Sequence, residues 1–184
     1  QNGFDVSVEN GTACLSGQDL MSFNLIVPMI TMSTIQPSEV EALCKALRGG
    51  VGLGGMHGLM CDAFRNETEY QFMTGGQWVS HPGNIIDYRI DVTKPSDPVM
   101  QGISSFNYRS EQYYMHVDPM IDVLATTTFT GEHCDWVKGV VMPVVWKKHY
   151  GKGRVFYSAL GHTADEFKVP QMRTIIERGM SWAA

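Results

Sequence analysis

No apolar stretch of this 184-residue chain approaches the ~18 residues that a membrane-spanning helix needs. Runs of like charge are also missing. The 14 basic and 19 acidic residues, net charge -5, are scattered along the chain, so neither a nucleic-acid patch nor a membrane-binding face is expected. Cysteine is sparse: Cys14, Cys44, Cys61 and Cys134 are widely spaced and form no CxxC, which argues against a zinc ribbon or a dithiol redox site. They are expected to be buried free thiols in a reducing compartment, and a cytoplasmic location follows from that. No signal peptide is visible, and whatever precedes Gln1 lies outside the sequence. Internal repeats and low-complexity segments are absent.

What is present suits one α/β domain over residues 1–184. The chain is 43% apolar and 18% charged, ordinary values for a globular protein with a sizeable core. Phe4-Asp5-Val6-Ser7-Val8 alternates and predicts a strand. Leu25 to Ile30 is nearly all apolar, as in a strand covered on both faces, with Pro28 an awkward member that would end it. Pro37-Ser38-Glu39 opens a helix with Val40, Leu43, Cys44 and Leu47 at helical spacing, stopped by Gly49-Gly50. Val51 to Gly55 is the next buried strand. This strand–helix–strand order points to a parallel layer. Further along, a helix is expected over Cys61 to Phe72, ended by Gly75-Gly76. Strands are expected over Ile85–Val92, Tyr113–Val117, Val123–Thr128, Val140–Trp146 and Arg154–Leu160. The last two are joined by the Gly-rich turn His149 to Gly153, a hairpin turn and not a phosphate loop because no helix starts there. Pro170 to Ala183 is an amphipathic helix.

The most informative segment is Val51-Gly52-Leu53-Gly54-Gly55-Met56-His57-Gly58. A Gly-rich apolar strand ends in one reactive side chain on a sharp turn, the position at which open α/β sheets place ligand-facing groups. In a hydrolase that side chain would be Ser or Cys. Here it is His57.

Gly55-Met56-His57-Gly58, Asp62-Ala63-Phe64, Gly75-Gly76 and Ser80-His81-Pro82 resemble, in order, the first half of the ThuA-like (trehalose utilisation) family. Met142 to Trp146, Tyr150 to Tyr157, Ala159-Leu160-Gly161-His162 and Arg178 to Ala183 resemble its second half. The resemblance implies a class I glutamine amidotransferase-like fold, a flavodoxin-like three-layer sandwich with a mostly parallel sheet. The Val140–Leu160 hairpin is expected in an antiparallel edge. It also implies a first strand and helix that this chain is expected to lack. For function it implies carbohydrate catabolism, with a disaccharide or keto-sugar as substrate. A small-molecule sugar is then the expected partner, and self-association into a homo-oligomer is compatible with it.

Glutamine amidotransfer itself is excluded: it needs a thiolate nucleophile, His57 stands in its place, and Cys61 lies four residues on. His57 and His162 are expected at the tips of neighbouring strands, as general acid and base or as ligands of a divalent metal, with His81 or a carboxylate as third ligand. Glu111, within an acidic–aromatic run from Arg109 to Tyr114, is the candidate carboxylate, as acid, base or sugar hydroxyl acceptor. His81 and Trp78 are candidates to line the pocket. Asp62 and Arg65 either face the same crevice or form a surface ion pair. Trp146 is expected in the core, and His116, His133 and His149 on the surface or in loops. A metal-dependent hydrolase of a non-sugar substrate and a non-catalytic carbohydrate-binding domain are the alternatives.

Overall fold

The computed structural model describes residues 3–184. Its elements, in chain order, are α1 (Cys14–Gly17), β1 (Leu25–Ile26), α2 (Pro37–Gly49), β2 (Gly52–Met56), α3 (His57–Cys61), α4 (Thr68–Thr74), β3 (Gly76–Ser80), β4 (Ile85–Val92), β5 (Phe106–Glu111), β6 (Tyr114–Val117), β7 (Asp122–Thr128), β8 (Val141–Tyr150), β9 (Gly153–Ser158) and α5 (Pro170–Ala183). Seven strands form one sheet in the order β1-β2-β9-β8-β7-β4-β5, and β3 pairs with β6 in a separate two-stranded sheet.

The fold is α/β, but the expected mostly parallel sheet is a mixed one. Only β1–β2 and β2–β9 pair in parallel; β9–β8, β8–β7, β7–β4 and β4–β5 are antiparallel. The reason lies in the connections. Parallel neighbours need a crossover such as α2, whereas β8 and β9 are joined by the two-residue turn Gly151-Lys152, which permits only antiparallel pairing. That hairpin sits in the middle of the sheet, next to β2, and not at an edge.

The α2 helix forms where expected. Pro37 opens it, the Glu39 carboxylate accepts from the Gln36 amide at 2.8 Å, and the chain leaves through Gly50 at φ +124°. It buries Val40, Leu43, Cys44 and Leu47. On β2, glycine lets a helix close on each face. A Cβ at Gly54 would stand 2.5 Å from Met180 Sδ of α5, and one at Gly55 would stand 2.6 Å from Met60 Cβ of α3. Leu53, Trp146, Val155, Phe156 and Tyr157 between them are fully buried, each stabilising the fold by about 1.5–3 kcal/mol. The core placement expected for Trp146 holds.

Three local expectations are overturned. Residues Phe4 to Val8 are exposed and form no strand, because no neighbouring strand pairs with them. The Leu25–Ile30 strand is cut to Leu25–Ile26, ending before Pro28, which has no N–H to give a ladder. The Cys61–Phe72 helix is instead two short helices, α3 and α4, with the non-helical residues 62–67 between them. Cys44 and Cys61 are buried thiols, while Cys14 and Cys134 are half-buried; all four are unpaired.

Candidate functional site

Strand β2 stops at Met56, and His57 takes φ +49°, a left-handed conformation uncommon for a residue with a Cβ. The turn is held from outside: the Tyr157 hydroxyl of β9 donates to the His57 carbonyl at 3.0 Å. The imidazole is directed inward, its side chain 7% exposed. Its Nδ1 lies 2.8 Å from the Tyr113 hydroxyl, while Nε2 is buried with no hydrogen-bond partner.

His162 arrives from the neighbouring strand. Met56 pairs with Ser158 at the shared carboxyl ends of β2 and β9, and the chain turns at Gly161 (φ +103°) to reach His162. The two imidazole centroids are 5.0 Å apart. Between them lies Glu111, at the end of β5. Its Oε2 is 3.4 Å from His57 Nε2 and 3.4 Å from His162 Nδ1, and its Oε1 is 3.7 Å from His81 Nε2. For β5, the far edge of the sheet, to reach the β2 and β9 tips, the sheet must curl until its last strand meets its parallel end.

The small β3–β6 sheet supplies the aromatic wall. It carries Trp78, is followed by His81, and is entered through Tyr113. Trp78 lies 5.5 Å from the His81 ring and 6.2 Å from Tyr113, centroid to centroid. The Arg65 guanidinium stacks 4.6 Å from the Trp78 centroid. Arg65 also holds Asp62 through two hydrogen bonds, at 2.6 and 2.9 Å. Asp62 is buried and Arg65 partly exposed, so the pair belongs to the wall of the site and is not a free surface ion pair.

Burial sets the electrostatics. It pushes the His57 pKa down from 6.5 to about 3, aided by the neighbouring His162 and His81. His57 is therefore a neutral imidazole near pH 7. Burial also raises the Tyr113 hydroxyl far above the ordinary tyrosine range, aided by Glu111 and Asp62. The contact between them joins two neutral groups. If Tyr113 donates to Nδ1, the His57 proton sits on Nε2 and faces Glu111. If Tyr113 accepts from Nδ1, the Nε2 lone pair is free.

That second tautomer fits a divalent cation. Ligand atoms of His57, Glu111 and His162, one from each, lie within 4.8 Å of one another, a two-histidine, one-carboxylate donor set, and the orphaned Nε2 of His57 is 3.4 Å from Glu111 Oε2. Two surface depressions lie elsewhere. One, of about 650 Å³, is lined by residues including Val99, Arg178 and Trp182; the other, of about 410 Å³, by residues including Tyr88, Arg109 and His133. Neither includes His57, Glu111 or His162.

Compared with known families, residues 1–183 match the ThuA model, described as trehalose utilisation. The chain belongs to the ThuA family. Solved structures agree with this ThuA chain in fold. A ThuA-like protein of Bacteroides uniformis superposes with TM-score 0.81 at 17% identity, covering 98% of this chain and 77% of the other. One from Parabacteroides merdae gives TM-score 0.76 at 19% identity, covering 92% and 74%. The same fold recurs within a β-galactosidase from Bacillus circulans sp. alkalophilus, at TM-score 0.56 and 16% identity, covering 90% of this chain and 23% of that one. A search of curated proteins returns no match.

The structure thus gathers all the candidates named from the ThuA chain's sequence, His57, His81, His162, Glu111, Trp78, Asp62 and Arg65, into one neighbourhood. His116, His133 and His149 are exposed and outside it. Tyr113 is a site residue that the sequence pattern alone does not mark; among the described residues its hydroxyl makes the one hydrogen bond to the His57 ring. The one hint of it is its place two residues after Glu111 in the acidic–aromatic run.

Proposed function

We propose that this protein is an enzyme of carbohydrate catabolism, acting on a disaccharide or keto-sugar at the joint site of His57, Glu111 and His162. One observation carries the reading: a single carboxyl group stands 3.4 Å from two imidazoles delivered by adjacent strand tips. Family membership supports a sugar substrate, and Trp78 and Tyr113 offer apolar ring faces for its C–H surfaces. The flavodoxin-like three-layer arrangement and a cytoplasmic location belong to the same proposal. No helix among the described residues is long and apolar enough to cross a membrane.

The chemistry divides between the residues. A general base works best with a pKa near the working pH, and His57, at about 3, is far below it. His57 therefore orients and accepts, and does not shuttle protons. His162 has a side chain 34% exposed, so solvent reaches it, and the shared Glu111 links it to the buried imidazole. These two are the groups placed to move a proton to or from a sugar oxygen or an acidic carbon.

A second reading is favoured by the orphaned His57 Nε2. His57, Glu111 and His162 would hold a divalent cation, which would polarise a carbonyl or hydroxyl oxygen of the substrate. The test is incubation of the purified protein with trehalose, sucrose and their 3-keto forms, with products followed by NMR and metal content measured in parallel. Turnover lost in Glu111→Gln supports the proposal. Binding without turnover, unaltered in His57→Gln, overturns it. Stoichiometric metal in the wild type, lost in His57→Ala and in His162→Ala, favours the second reading; its retention in both variants contradicts it.

A further inference from the structure

Glu166 is outside the site just described, yet four hydrogen-bond donors converge on its carboxylate. Oε1 accepts from the Ser110 hydroxyl at 2.9 Å. Oε2 accepts from the Tyr108 hydroxyl, from the Gly161 amide at 3.2 Å and from the His162 amide at 3.1 Å. Tyr108 and Ser110 are buried residues of β5, and Ser110 immediately precedes Glu111. Gly161 and His162 form the turn after β9. In sheet order β5 and β9 are separated by β4, β7 and β8, so no ladder hydrogen bond joins them. The carboxylate closes that gap.

We infer that Glu166 is a positioning residue, which sets the distance between Glu111 and His162 by tying the Tyr108 and Ser110 hydroxyls, next to Glu111 on β5, and the Gly161 and His162 amides to one carboxylate. The inference rests on the proposed joint site. The position of Glu166 after His162 invites comparison with a catalytic His–Glu pair, but its bond runs to the His162 amide, while the carboxylate facing the imidazole is that of Glu111. Glu166 acts on where the ring sits. Its neighbour Asp165 pairs with Lys168 on the surface, at 2.7 Å, which makes it a control.

The acceptor geometry predicts which substitution is tolerated. Glutamine can place its carbonyl oxygen where Oε2 stands and keep three donors satisfied. Its amide then faces Ser110, whose hydroxyl can turn to accept. Alanine leaves the Gly161 and His162 amides and two buried hydroxyls without their acceptor.

The test observes the two imidazoles directly, with no need of substrate. Two-dimensional 1H–15N spectra tuned to the ring nitrogens are recorded for the wild type, Glu166→Gln, Glu166→Ala, Ser110→Ala and Asp165→Ala. In Glu166→Ala the His162 resonances are expected to move to those of an unrestrained imidazole, while the His57 resonances, held by Tyr113, stay in place. Glu166→Gln and Asp165→Ala are expected to match the wild type, and Ser110→Ala to shift His162 in the same direction by less. Co2+ titration gives a second readout, with affinity falling at least tenfold in Glu166→Ala and under threefold in Glu166→Gln. Wild-type His162 resonances retained in Glu166→Ala would overturn the inference. If Glu166→Ala does not fold, unchanged His162 resonances in Ser110→Ala would do the same. A wild type that binds no Co2+ removes the metal reading alone, and the imidazole spectra still decide the role of Glu166.

Discussion

The Tyr113 hydroxyl and His57 Nδ1 stand 2.8 Å apart, both buried, and both groups are driven toward their neutral forms. This contact fixes the His57 ring and decides which nitrogen faces Glu111. Tyr113→Phe removes the partner and leaves a buried nitrogen unpaired. Stability should fall by about 1–3 kcal/mol, read by urea unfolding, and the His57 tautomer should become mixed in 15N spectra. A single unchanged tautomer would show that Glu111, and not Tyr113, fixes the ring.

Acidification should destabilise the protein partly through His57. Its pKa is about 3 in the fold against an ordinary 6.5. As pH falls the unfolded chain takes up a proton first. The stability that His57 contributes is therefore fully present above about pH 6.5 and is lost progressively down to about pH 3. The loss is at most about 1.4 kcal/mol per pH unit. His57→Gln should unfold with a shallower dependence on pH over that window. Equal slopes would mean that the imidazole titrates normally in the fold.

Gly161 occupies φ +103°, and a Cβ there would stand 2.8 Å from Met172 Cε and 3.0 Å from Met56 Sδ. Gly161→Ala should cost about 1–3 kcal/mol and displace the His162 imidazole, visible in its ring resonances. A displaced His162 with unaltered stability would mean that the turn relaxes freely.

Arg65 grips Asp62 with two nitrogens while lying over Trp78. Arg65→Ala should cost about 1 kcal/mol, the exposed guanidinium being screened by water. Arg65→Lys should recover little of it, because an ammonium cannot reproduce the two-pronged contact. Full recovery by lysine, measured by urea unfolding, would reduce the contact to simple charge pairing.

Much of the site could be read from sequence because strand-tip grammar is local. A Gly-rich apolar strand ending in His57, and a second apolar strand followed by Gly161 and His162, each announce themselves within a few residues. What escaped depends on partners distant in the chain. The β5 segment alternates inward Phe106, Tyr108 and Ser110, but Ser110 reads as polar surface until Glu166 is brought against it. The β3 strand has no clean alternation, since its pairing with β6 shifts register between Trp78 and Ser80. Conversely, Phe4 to Val8 alternates well and forms nothing, because strand propensity has no effect without a neighbour to pair with. The mixed sheet went unseen for the same reason: local pattern identifies strands but not which edge each one joins.

The most direct test of the joint site is a double-mutant cycle on keto-sugar turnover, with His57→Gln, His162→Gln and the two combined. Groups that act as one unit show losses far from additive. The double variant is expected to be no slower, within about threefold, than the worse single variant. Losses that multiply, or wild-type turnover in either single variant, would contradict a site shared by His57 and His162.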